Sequence, residues 1–235
     1  MELALEETKP QGDTMTGVAR IYEDKAQQYF NRVRTDILHL LPPHVEQVLE
    51  VGCGEGDTLE HLRVSGRCRT TYGVELFPEA ARVARGRVDR LYEGNIEQLE
   101  LPLAPASIDA ILCLDVLEHL IDPWSVIRKL HALLKPGGII IASIPNVRHF
   151  SVVLPLLFKG RWDYTSSGLL DKTHLRYFTK RSAVALMECS GLRVDAVEGT
   201  GLAGPRARLI QMLTLSLARP WLEVQFLVRA RRVDG

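Results

Sequence analysis

Apolar residues return at steps of three and four near the start of the chain: Val18, Ile21, Tyr22, Ala26, Tyr29, Val33, Ile37 and Leu41. That spacing draws one stripe along a helix, and it predicts a long N-terminal helix over residues 16–43 that Pro42 and Pro43 end. Beyond the prolines the period changes. Short apolar runs at 47–51, 70–74, 88–92, 109–115 and 138–144 read as buried strands, with helical stretches between several of them. The clearest helix runs from Asp122 to Lys135: Asp122 suits the N-cap, Pro123 the first helical position, and Ile127, Leu130 and Leu134 face inward. Pro136-Gly137-Gly138 then stops it. A further helix from Lys180 to Ser190 ends at Gly191, and runs at 193–198 and 223–230 read as two closing strands. Strands alternating with helices imply an α/β fold, a mostly parallel sheet covered on both faces.

Three segments stand outside this alternation. Residues 1–15 carry Pro10, Gly12 and several acids and read as a disordered lead-in to a single domain over 16–235. Residues 146–179 are rich in aromatics and arginine, and insertions of that length in a compact domain usually carry function. Residues 200–221 are apolar, with Arg206, Arg208 and Arg219 and no acid. The bulk numbers exclude some partners: with 46% hydrophobic residues and a net charge of zero, the chain has no overall field to attract nucleic acid. No apolar run approaches the ~20 residues of a spanning helix. The first thirty residues lack an apolar core of the secretory kind, and Cys53, Cys68, Cys113 and Cys189 are scattered, so a cytoplasmic protein without a disulfide framework is expected.

The chemistry begins at VLEVGCGEGDTLEHL, Val48 to Leu62: a buried strand, a glycine-rich turn and an amphipathic helix. Glycines let a ligand approach the backbone at a helix N-terminus. The dinucleotide pattern G-x-G-x-x-G fits at Gly52 and Gly54 but meets Asp57 at its third glycine, with Gly56 one residue early. The second strand ends at Glu75-Leu76, where a carboxylate could accept both hydroxyls of a ribose. The third ends at Asn95-Ile96 and the fourth at Asp115, followed by Glu118-His119. All four strand ends belong at the carboxyl edge of the sheet, the ligand crevice of open α/β folds.

This ordered set, LEVGCGEG, GVEL, GNIEQL, LDVLEHLIDP, LLKPGGIIIASIPN and DKTHLRYFT, resembles the class I S-adenosylmethionine-dependent methyltransferases over residues 17–199. It is similar, more narrowly, to the subgroup associated with glycosyltransferases and polysaccharide or lipid glycosylation, with the ubiquinone-type O-methyltransferases as broader relatives. The resemblance implies a Rossmann-like sheet of seven strands and S-adenosyl-L-methionine as cofactor. It implies that Glu50, Gly52, Cys53 and Gly54 line the methionine part, Glu75 and Leu76 the ribose, Asn95 and Ile96 the adenine, and Asp115 the region near the sulfonium. Many members carry Asp where this chain has Asn95. Arginines of the N-terminal helix, Arg32 or Arg34, are candidates for the cofactor carboxylate.

The acceptor is expected to be a hydroxyl of a sugar, glycan or lipid-linked intermediate, because aromatics and arginines in 146–179 suit rings and phosphates. A phenolic, quinone-precursor or polyketide hydroxyl fits the same composition. His174, in LLDKTHLRYFTKRS, is the first candidate for the base and His119 the second. Asp115, Glu118 and His119 would suit a divalent ion, yet the same letters occur in relatives without metal, and none is expected. Two rivals remain. A nicotinamide-dependent reductase lacks its third glycine and any Tyr-x-x-x-Lys pair, and a silent S-adenosylmethionine-binding module needs no acceptor site. Residues 200–221 are expected to touch a membrane surface peripherally or to form a cover or homodimer face.

Overall fold

The computed structural model describes residues 33–201 and 218–233. The expectations for residues 1–15, for Tyr22, Tyr29 and Arg32, and for Arg206 and Arg208 lie outside the described residues.

Strands β1 (Val45–Val51), β2 (Cys68–Glu75), β3 (Arg90–Glu93), β4 (Ile108–Leu114), β5 (Leu134–Pro145), β6 (Leu192–Thr200) and β7 (Gln225–Arg232) form one sheet in the order β3-β2-β1-β4-β5-β7-β6. The first five run parallel, while β7 is antiparallel to both β5 and β6. The chain therefore has a mostly parallel Rossmann-like sheet.

Burial on both faces explains why the strands read as unbroken apolar runs rather than as alternation. Leu49 and Val51 of β1, Ile111 and Cys113 of β4, Ile140 and Ala142 of β5, and Phe226 and Val228 of β7 point to one face. Val48, Leu112, Ile141 and Leu227, the residues between them, point to the other. Helices α3 (Pro123–Leu133) and α5 (Lys180–Glu188) cover the first face through Ile127, Leu130, Leu186 and Met187. Helix α1 (Asp57–Val64) covers the second through Leu59 and Leu62, joined by Ile37, Leu40 and Leu41. Helix α2 (Pro78–Ala84) follows β2 and adds Ala84 there.

Three expected boundaries shift. From Val33 onward the long N-terminal helix is absent: Thr35–Ile37 form one 3-10 turn. Hydrogen bonds outside the segment decide this. The Arg34 N–H donates to Thr58 Oγ1, and the Arg67 guanidinium donates to the carbonyls of Leu38, Leu41 and Pro42. Ile37 and Leu41 are buried regardless, so from Val33 onward the apolar positions mark burial without a helical period. The helix beginning at Asp122 ends at Leu133, and Leu134-Lys135-Pro136-Gly137-Gly138 opens β5. Asp122 is its N-cap, accepting from the Ser125 N–H at 3.0 Å. Segment 146–179 contains a helix, α4 (Phe150–Lys159), that the sequence pattern did not disclose.

Helix α5 starts with a reciprocal cap: the Thr179 side chain accepts from the Ser182 N–H, and the Ser182 hydroxyl accepts from the Thr179 N–H. Thr179→Ala should cost about 0.5–2 kcal/mol. At ~2–4 °C per kcal/mol for a domain of this size, calorimetry should record a drop of a few degrees.

Candidate active site

The crevice opens at the carboxyl ends of β1, β2 and β4, a cavity of about 730 Å³. The turn after β1 is pinned to the next strand, because the N–H groups of Gly52 and Cys53 both donate to the Val74 carbonyl, at 2.8 and 3.1 Å. Gly52 has φ +69°, and a Cβ built on it would lie 2.5 Å from Val116 Cγ2. Both facts require glycine. Gly56, not residue 57, supplies the last glycine: with φ +84° it caps α1, and Asp57 opens the helix paired to Arg87 at 2.7 Å. The broken dinucleotide pattern is thus a complete turn of a different length.

Two buried carboxylates face the crevice. Glu75 accepts from the Gly54 N–H and the Phe77 N–H, each at 2.8 Å. Burial raises its pKa while those backbone bonds oppose the rise. Glu50 lies on β1, and its Oε2 is buried with no hydrogen-bond partner among the described residues. Burial pushes the Glu50 carboxyl up to about 8, with Arg34 opposing and Glu75 and Asp57 adding to the rise. Cys53 also lines the crevice, but burial raises its thiol pKa, so it packs rather than reacts.

Asp115 ends β4 in left-handed backbone, φ +59°. It accepts from Arg34 at 2.5 Å, from Ser143 Oγ at 2.8 Å and from Gln225 Nε2. Arg34 also holds Asp36 through two contacts of 3.0 Å, so both acids engage the guanidinium. Asn95 lines the cavity, and its Oδ1 accepts from the Glu97 N–H at 2.9 Å, a turn that aspartate would make equally well. Leu76 and Ile96 line the wall as expected. Gln225, Thr200 and Gly201 were missed. They lie at the β6–β7 end of the sheet, where antiparallel β7 begins beside the end of β5, so a rule about carboxyl ends of parallel strands does not find them.

The two histidines divide. His119 lines the cavity, and its Nδ1 meets the Thr173 carbonyl at 3.1 Å. His174 does not line it. Its Nδ1 meets the Leu169 carbonyl at 3.2 Å, its Nε2 lies 3.9 Å from Glu118 Oε1, and its ring stands edge-on to His119 with centroids 4.8 Å apart. Glu118, His119 and His174 offer three ligand atoms within 4.8 Å of one another, a set that suits a divalent cation. Asp115, expected in that set, belongs to the Arg34 network instead. Of segment 146–179, only Leu175 reaches the cavity wall.

Charge decides what the cavity holds. Among the described residues, Asp36, Glu50, Asp57, Glu75, Glu97 and Asp115 line it against one guanidinium, Arg34, and no lysine. A dinucleotide would bring a diphosphate into that field, whereas S-adenosylmethionine brings a sulfonium and an ammonium. The unpartnered Glu50 Oε2 and the glycine turn fit it. Glu50, Gly52 and Gly54 would hold the methionine part, and Glu75 the ribose.

The comparisons agree. The methyltransferase-domain family matches residues 24–197. The ubiquinone biosynthesis O-methyltransferase of Xylella fastidiosa is 33% identical over 182 residues, covering 70% of this chain and 72% of that one. The protein of the same name from Albidiferax ferrireducens is 35% identical over 127 residues, 52% of this chain and 50% of its own. The chain thus spans half the length of that relative. The crystal structure of a SAM-dependent methyltransferase from Archaeoglobus fulgidus superposes with a TM-score of 0.63 at 17% identity, covering 93% of this chain and all of the other, a likeness of fold.

Glu50 makes binding and stability depend on pH in opposite senses. Its folded pKa, about 8, lies above the ordinary 4.5, so its contribution to stability is full below pH 4.5 and is lost as pH rises through 8. A ligand ammonium favours the carboxylate, so S-adenosylhomocysteine should bind more tightly as pH rises from 6 to 8, by up to roughly tenfold per unit. Glu50→Gln should flatten both profiles, read by calorimetric titration and melting. An unchanged slope in the variant would assign the dependence to another group.

Proposed function

The chain belongs to the S-adenosylmethionine-dependent methyltransferase family, and on that premise we propose that it methylates a hydroxyl on an acceptor with an apolar body, such as a phenolic quinone precursor. The observation that carries this reading is the wall after β4. His119 stands there beside Val116, Leu120 and Ile121, with Leu175 also on the wall. Ile121 and Leu175 are 66% and 51% exposed, so the cavity has an apolar rim around one imidazole. The relatives from Xylella and Albidiferax, named for ubiquinone O-methylation, support the same choice.

The arginines that would carry a sugar phosphate stand off the cavity wall, since none of Arg148, Arg161 and Arg176 lines it. Arg161 pairs with Asp163 at 2.5 Å, and Arg176 donates to the Ile121 carbonyl. Trp162 and Tyr177 stack edge to face on each other, 5.2 Å between centroids. The acidic lining of the cavity would oppose a phosphate as well.

Bound S-adenosylmethionine supplies an electrophilic methyl group. The chain's own work is to align the acceptor oxygen with it and to take the proton that this oxygen loses. With Nδ1–H donating to the Thr173 carbonyl, His119 presents Nε2 as its basic nitrogen. The buried Glu118 carboxylate nearby steadies the imidazolium. His174, tied to Leu169, positions that pair from behind.

Labelled methyl transfer into catechols, prenylated phenols, glycolipids and nucleotide sugars, with mass spectrometry of the product, tests the acceptor. Label in the phenols is expected; label only in a sugar would sink the reading. His119→Ala should lower kcat by about 10²–10⁴-fold with S-adenosylhomocysteine affinity within about twofold, and His174→Ala should cost less. Activity lost in a chelator and restored by Mg²⁺ or Mn²⁺ would make His119 a metal ligand instead of the base.

A further inference from the structure

Helix α4 is turned the wrong way for a helix of a water-facing surface. Phe150, Leu154, Leu157 and Phe158 follow one another at helical spacings of four, three and one, and so share a face. They are 44%, 43%, 69% and 75% exposed. Val152, on the opposite side, is the helix's one buried residue. An amphipathic helix normally hides such a stripe and shows its polar side.

Its charges have one sign. No Asp or Glu occurs between Asp122 and Asp163, while Arg148 precedes α4, Lys159 ends it and Arg161 follows. Arg161 is exposed and shares its charge with Asp163. Trp221, half-exposed, lies against Arg148 and extends the apolar surface.

The face is tied to the crevice. The Asn146 N–H donates to the Val224 carbonyl, and the Asn146 side chain donates to those of Pro220 and Glu223. Val224 in turn donates to the Thr200 carbonyl, and Thr200 and Gln225 line the cavity.

We propose that α4 docks this protein on an anionic bilayer surface, its apolar stripe among the acyl chains and Arg148 and Lys159 at the headgroups. An apolar stripe flanked by Arg148 and Lys159, with no acid inside the helix, matches that occupant, whereas a second copy of this face would set like charges against each other. Docking would bring the crevice toward the bilayer and let a membrane-borne acceptor enter. That consequence rests on the acceptor reading above; the docking does not, and it is measured without acceptor.

The experiment is co-sedimentation of the full chain with vesicles of phosphatidylglycerol and phosphatidylcholine in equal parts, against phosphatidylcholine alone. The parent should partition at least about tenfold more to the anionic vesicles, and raised salt should weaken this. Leu157→Glu with Phe158→Glu should lower that partition at least about tenfold, with an unchanged melting shift from S-adenosylhomocysteine as the control for folding. Parent protein left in the supernatant, or a variant that sediments like the parent, overturns the proposal. So does a variant whose own melting point falls by several degrees, because the stripe would then be covered by the chain itself. Loss of a parental dimer in the variant, without vesicle binding by either, assigns the face to a second copy and equally overturns it.

Discussion

Asp115 is where the crevice is assembled. The carboxylate takes bonds from Arg34, Ser143 and Gln225, which come from the segment before β1, from β5 and from β7. No two of these neighbours are adjacent in sequence, so one side chain sets the relative position of four pieces of chain. The backbone meets a cost for it, since an aspartate at φ +59° sits in a region that non-glycine residues seldom occupy. Aspartate tolerates that region better than most residues, which narrows what can stand at the end of β4. Arg34 gains in turn. Burial weakens its charge, but Asp36 and Asp115 more than restore it, and among the described residues it is the one guanidinium in an acid-lined cavity.

Much of this fold was legible because the strands are buried on both sides and therefore apolar throughout. β1, β2 and β4 could be placed within a few residues, and the glycine turn and the acids at the strand ends came with them. What failed has physical causes. The stripe through Ile37 and Leu41 is real burial, yet the Arg34 N–H bonds to Thr58 Oγ1 and Arg67 gathers the carbonyls of Leu38, Leu41 and Pro42, so tertiary contacts hold the segment in a turn. Gln225 reaches the crevice from an antiparallel strand 110 residues from Asp115 in sequence. Nothing local marks it. His174 sits in a motif full of candidate chemistry, but its ring nitrogens face the Leu169 carbonyl and Glu118, a preference set by tertiary packing alone.

The walls of the cavity separate two kinds of recognition. On the side of β1 and β2, Glu50 and Glu75 sit in low dielectric, where a charged partner is worth more than in water. Their acidity favours a ligand that brings positive charge, and the glycine turn lets it lie against backbone. On the side of the 3-10 turn Leu117–His119, Val116, Leu120, Ile121 and Leu175 surround the imidazole, and Glu97 accepts from the Ile121 N–H beside them. In the proposed function, charge suits the methyl donor and apolar contact suits the acceptor. Because the donor loses its positive charge on giving up the methyl group, the acidic side also holds the spent cofactor less firmly than the fresh one. The same electrostatics that suits the cofactor thereby favours its release after each turnover.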